Sequence, residues 1–184
     1  PGGGFVRELS SSGSTEQLLV LEQILTDGSV YRWLCSARPG QPLAVETVVR
    51  LAARDRPTRH SAPSFDRAVL LPAYHRAMVA ALGLRRAACR AFLFVGVGGG
   101  ALPLFLAKHH PRVVMTGVDA DPRALALAAA YFGCVGGPRL RLHALSAAAF
   151  LRRFPRAALD ATFVDARGSG AADAGLEGPP PALV

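Results

Sequence analysis

The chain has 184 residues, with 21 Lys and Arg against 13 Asp and Glu, a net charge of +8. That length makes one domain of ordinary size with a small appendage, and 51% hydrophobic against 18% charged residues exclude a wholly disordered chain. Cys35, Cys89 and Cys134 form no CxxC pair, so neither a disulfide framework nor a structural zinc site is expected. Lys108 is the only lysine, and the arginines are dispersed, with short groups at Arg85, Arg86, Arg90 and at Arg152, Arg153, Arg156. Nucleic acid is therefore not the expected direct substrate.

The opening PGGGFVRELSSSGSTE is polar, lacks the apolar region of a secretory signal and does not begin with Met, so it reads as a flexible lead-in on a piece of a longer protein. The longest uncharged run, Ala91 to Ala107, is broken by Gly96, Gly98, Gly99, Gly100 and Pro103. A strand entering a turn explains it better than a membrane span, and a cytoplasmic protein is the expectation. Residues 17–66 read as a β-hairpin unit and linker. Within them Leu18 to Leu25 and Ser29 to Leu34 are strands joined by a two-residue turn at Asp27-Gly28, and a helix or strand lies around Leu43 to Ala53. Tyr74, Met78 and Leu82 then fall on one face of a helix that ends near Gly83.

Residues 67–184 read as one α/β domain. Strands are expected at Phe92 to Val95, Val113 to Val118, Leu140 to His143 and Leu159 to Val164. Helices are expected between them at Ala101 to His109, Pro122 to Phe132 and Ala147 to Phe154. That alternation predicts a Rossmann-like, doubly wound, mainly parallel sheet.

Chemistry gathers where these strands end. The stretch FLFVGVGGGALPLFLA runs a buried strand through Gly96, Gly98, Gly99 and Gly100 straight into a helix, a turn that lets backbone approach a ligand. With Ala101 it also satisfies G-x-G-x-x-A, so a dinucleotide such as NAD stays open as an alternative. The second strand ends VVMTGVDADPRALALAA. Asp119 there is placed to accept hydrogen bonds from both hydroxyls of a ribose, Ala120 is the spacer, and Asp121-Pro122 opens the next helix. An acid, a spacer, a capping Asp-Pro and an apolar helix is the pattern associated with S-adenosyl-L-methionine enzymes. In LDATFVDARGSG, Asp165 ends the fourth strand, beside a transferred group where it could hold a cationic amine or accept its proton. Ser146, after the third strand, is the candidate for the adenine edge. His109 and His110 are adjacent, diverge on a helix and cannot chelate one metal; no metal is expected. Tyr74 and His75 face either the site or the surface.

With these residues in hand, the chain resembles the spermidine-synthase-like class I methyltransferases, most of all the C-terminal domains of the dual methyltransferases of elongation factor 1-alpha. The likeness runs from LLPAYHRAMVAALGL through FLFVGVGGGALPLFLAKHHP, VDADPRALALAAAYFG and TFVDARGSG to GPPPALV. It implies an S-adenosyl-L-methionine-dependent protein methyltransferase acting on the N-terminal α-amine, or a lysine, of elongation factor 1-alpha. By the same resemblance Gly96, Gly98, Gly99, Gly100, Asp119, Ala120 and Ser146 would hold the cofactor, and Asp165 would stand at the reacting centre. Three departures go with it. Ser146 replaces the family's usual Asp. Asp165 is followed by Ala166-Arg167-Gly168-Ser169 rather than the acidic pair that recognises a polyamine, so polyamine synthesis is not expected. The class continues beyond PPPALV, so its last strands are expected to be missing here, and a non-catalytic binding remnant is the third reading.

Overall fold

The computed structural model describes residues 4–9, 16–52, 64–84, 89–154 and 159–165. Their first part forms an antiparallel meander of β1 (Gly4–Leu9), β2 (Gln17–Ile24), β3 (Val30–Ala37) and β4 (Ala44–Arg50), each strand paired with the next. The segments QLLVLEQI and VYRWLCSA are rich in branched and aromatic residues that suit a pleated surface. Both faces of the sheet bury apolar side chains: Leu18, Val20 and Leu34 on one, Leu19, Leu21, Cys35 and Val45 on the other.

Two local expectations change. Residues 4–9 are not lead-in but an edge strand, paired from Gly4↔Gln23 to Leu9↔Leu18. An otherwise open edge of β2 gives their backbone groups partners, a long-range cause with no local sequence signal. The Asp27-Gly28 connection is one residue longer than a two-residue turn. Gly28 N–H donates to Leu25 O at 3.0 Å, Leu25 N–H donates to Ser29 O at 2.9 Å, and Gly28 sits at φ 81°. This is a turn closed by a left-handed residue, the next commonest hairpin solution. The ambiguous segment around Leu43 to Ala53 supplies β4, so the expected hairpin unit is a four-stranded sheet.

The second sheet is parallel, in the order β7-β6-β5-β8, with β5 (Ala91–Val95), β6 (Val114–Asp119), β7 (Leu140–Ala144) and β8 (Ala161–Val164). Its helices are α2 (Ala101–His109), α3 (Pro122–Phe132) and α4 (Ala147–Arg153), with α1 (Ala73–Leu82) preceding β5. The chain steps from β5 to β6 to β7 in one direction, then crosses back to β8 on the far side of β5, which makes the sheet doubly wound. The central strand AFLFV is continuously apolar, as a strand covered on both faces must be. Phe92, Phe94, Met115 and Phe163 pack on one side with Leu102, Leu104 and Leu106 of α2. Leu93, Val95 and Val118 pack on the other with Phe150 of the returning helix α4.

Helix α3 begins where Asp121 caps the amide of Arg123 at 2.9 Å and ends at Gly133, whose φ of 63° stops it. Its outer face carries the antiparallel sheet, where Leu18, Val20 and Leu34 meet Ala124, Leu127 and Phe132. The buried Arg32 pairs with Glu22 and donates to Tyr131 O, and Arg123 donates to Glu16 O at 3.1 Å. The antiparallel sheet is thus packed against the parallel one through α3. No described helix is long and apolar enough to cross a membrane. Residues 166–184, including Arg167, the Gly168 to Gly178 loop and the PPPALV segment, lie outside the described residues.

Candidate functional site

Register decides which residues meet. Val95 of β5 pairs with Val118 of β6 on one side and Val164 of β8 on the other. The next residue along each strand is therefore Gly96, Asp119 and Asp165, level with one another at the carboxyl edge. Gly96 N–H donates to Val118 O at 2.9 Å, and Asp165 N–H donates to Val95 O at 2.7 Å. The crossover reverses direction between β5 and β8, so Gly96 and Asp165 flank the place where open α/β sheets bind ligands.

The glycine turn is shaped as expected, but its glycines serve different partners. Gly96, Gly98 and Gly100 take φ of 84°, 51° and 81°, which side chains rarely tolerate. A Cβ on Gly98 would stand 2.8 Å from Thr47 Oγ1, one on Gly99 2.8 Å from Thr47 Cγ2, and one on Gly100 2.3 Å from Cys134 Sγ. Missing side chains at Gly98, Gly99 and Gly100 thus make room for the protein itself. The turn's amides are engaged as well. Val97 and Gly98 donate to Asp119 Oδ2 at 2.9 and 3.1 Å, Gly99 to Thr47 Oγ1 at 2.7 Å, and Gly100 to Val97 O at 2.9 Å. Pro103 removes a further donor from the first turn of α2. A pyrophosphate needs free amides, and those of Val97, Gly98, Gly99 and Gly100 are engaged within the chain.

Asp119 is half-buried. Its Oδ1 also accepts the amide of Asp121 at 3.0 Å, so three of its roughly four acceptor positions are engaged within the chain. The remaining acceptor position lies on Oδ1. Ala120 is exposed beside it. Asp121 is engaged by its own helix: its bonds to Arg123 hold its carboxyl below the ordinary value of 3.8. Ser146 is exposed, and its Oγ accepts the amide of Ala149 at 3.2 Å as the cap of α4.

Asp165 is held by two residues that sequence spacing left undecided. Tyr74 donates its hydroxyl to Asp165 Oδ2 at 3.1 Å, and His75 Nε2 lies 2.8 Å from the same oxygen. His75 is only 3% exposed, and its Nδ1 has no partner among the described residues. The adjacency of two polar aromatic side chains in the mostly apolar AYHRAMVAAL was the signal available. Thr47 had none, since it reaches the turn from a strand 52 positions earlier. Among the described residues no cluster could hold a metal ion. His109 and His110 instead contact different aromatic rings, Phe105 and Phe92.

No family model matches the chain. It is 33% identical over 131 residues to the bovine (Bos taurus) eEF1A lysine and N-terminal methyltransferase, a match covering 66% of this chain and 19% of that protein. It is 37% identical over 86 residues to the human (Homo sapiens) protein of the same name, covering 44% of this chain and 12% of that one. The chain therefore spans about one fifth or less of these curated relatives. Among solved structures, a probable spermidine synthase from Corynebacterium glutamicum matches at TM-score 0.60 and 14% identity, over 89% of this chain and 53% of that one. At that identity the likeness shows the fold: a Rossmann-like parallel sheet preceded by an antiparallel unit.

Proposed function

Starting from its relation to the eEF1A lysine and N-terminal methyltransferases, we propose that this chain is an S-adenosyl-L-methionine-dependent protein methyltransferase whose acceptor is the N-terminal α-amine of eEF1A. The observation that carries the reading is the row formed by Gly96, Asp119 and Asp165, together with a glycine turn whose amides from Gly96 to Gly100 are engaged within the chain.

Asp119 Oδ1 would take a ribose hydroxyl, and the turn at Gly96 to Gly100 would border the methionine part. Bound S-adenosyl-L-methionine supplies an electrophilic methyl group on a sulfonium. The chain's own residues prepare the acceptor. A protein amine carries a proton near neutral pH and must lose it before its lone pair can attack. Tyr74 and His75 both bond Asp165 through Oδ2, which leaves Oδ1 to accept that proton from the amine. Among the described residues no Lys or Arg pairs with Asp165. Aligning acceptor and carboxylate on the ends of packed strands makes the encounter effectively unimolecular.

The test is transfer of labelled methyl groups to two peptides of the eEF1A N-terminus, one with a free α-amine and one acetylated, each containing a lysine. Label on the free peptide and none on the acetylated one is expected. Equal labelling of both would place the acceptor at lysine and overturn the α-amine assignment.

A further inference from the structure

We infer that Thr47, on the antiparallel sheet, is a positioning residue of the cofactor turn, so that this sheet forms part of the binding machinery; the inference rests on the methyltransferase reading above. Thr47 is 2% exposed, and it meets the turn with both branches of its side chain. Its Oγ1 accepts the Gly99 amide at 2.7 Å and donates to Glu46 O at 2.8 Å, a directed chain from Gly99 N–H through the hydroxyl to a strand carbonyl. Its Cγ2 and Cβ fill the space where a Gly99 Cβ would stand, at 2.8 and 3.0 Å.

The strand is bent to allow this. Leu34 pairs with Thr47, but the next pair is Cys35 with Val45, which makes Glu46 the extra residue of a β-bulge. Bulges re-aim the side chains beside them. Here the residue after the bulge enters the turn, and the carbonyl of the bulged residue accepts its hydroxyl hydrogen.

Gly99 is buried, so its amide has no water to fall back on when Thr47 is removed. The turn then relaxes toward conformations in which that amide finds another partner. Cofactor affinity falls in proportion to the lost competent fraction. Asp165, Tyr74 and His75 lie on other elements and keep their arrangement, so the turnover of bound substrate changes little.

The experiment compares wild type with Thr47→Val, which keeps the shape and loses both hydrogen-bond roles, and with Thr47→Ser, which keeps the hydroxyl. S-adenosylhomocysteine affinity, KM for S-adenosyl-L-methionine, kcat and melting temperature are measured for each, with exchange of the Gly99 amide followed by NMR. Thr47→Val is expected to weaken cofactor binding about ten-fold with kcat held within about two-fold, while Thr47→Ser stays close to wild type. A structural defect alone would lower kcat by reducing the folded fraction and leave KM unchanged. Wild-type affinity in Thr47→Val overturns this inference alone. Rapid exchange of Gly99 in the wild type does the same and needs no variant to fold. A folded wild type that binds no S-adenosylhomocysteine overturns the methyltransferase reading and this cofactor role together.

Discussion

His75 Nε2 lies 2.8 Å from Asp165 Oδ2, which ties α1 to the end of β8. A carboxylate oxygen only accepts, so a bond to Asp165 as carboxylate puts the proton on Nε2, and Nδ1 is the buried nitrogen without a partner among the described residues. Steady-state kinetics test the arrangement. Asp165→Asn is expected to lower kcat by about a hundred-fold or more, the scale of a lost general base, with S-adenosylhomocysteine affinity nearly unchanged. His75→Gln should lower kcat less, by about ten-fold, since it removes a support rather than the proton acceptor. Wild-type kcat in Asp165→Asn would contradict the role given to the carboxylate.

Asp119 is given two tasks, and one substitution touches both. Its carboxylate holds the amides of Val97, Gly98 and Asp121, and in the proposed function its last acceptor position would take a hydroxyl. Asp119→Asn keeps one acceptor oxygen and places an NH2 group against a donor. Calorimetry should find S-adenosylhomocysteine affinity reduced about ten-fold or more, together with a lower melting temperature. Unchanged affinity would remove Asp119 from the ligand site.

Gly100 combines a φ of 81° with a Cβ position 2.3 Å from Cys134 Sγ. Gly100→Ala therefore meets overpacking and backbone strain at once, and urea denaturation should report a loss of at least about 2 kcal/mol. Gly40→Ala is the control, since Gly40 has a φ of 73° with nothing near its Cβ position, and it should lose about 1–2 kcal/mol from strain alone.

Cys134 is fully buried, and burial pushes its thiol up to about 12 from an ordinary 9.0. The unfolded chain ionises this thiol from about pH 9 while the folded chain keeps it protonated. The folded state therefore binds more protons, and stability falls as pH rises between those values. Cys134→Ser, whose hydroxyl does not titrate there, should flatten that part of the pH–stability curve. In the native chain at pH 8, a thiol reagent should label half-buried Cys89 ahead of Cys134. Labelling of both at one rate would contradict the packing around Gly100.

Much of this was legible because it is local. Helix α3 runs from Pro122 to Phe132 as its Asp121 cap and Gly133 stop predict, and α2 runs from Ala101 to His109. Alternating strands and helices gave the doubly wound sheet, and strand ends gave the row of Gly96, Asp119 and Asp165. What escaped were contacts between distant segments. Thr47 is one of several polar residues on an ordinary strand until a bulge aims it at Gly99, 52 positions away. His75 looks like a surface residue of a short helix until Asp165 arrives from 90 positions downstream. Residues 4–9 look flexible until β2 offers an edge. Glycines at 98, 99 and 100 announced a close approach, but not that Thr47 and Cys134 stand against them.

The most direct measurement is isothermal calorimetry of the folded chain with S-adenosylhomocysteine and, separately, with NAD. The account predicts saturable one-to-one binding of S-adenosylhomocysteine, weakened by Asp119→Asn, and no heat from NAD, whose pyrophosphate would meet a turn with its amides already engaged. Binding of NAD, or of neither ligand by a chain shown to be folded, would contradict it.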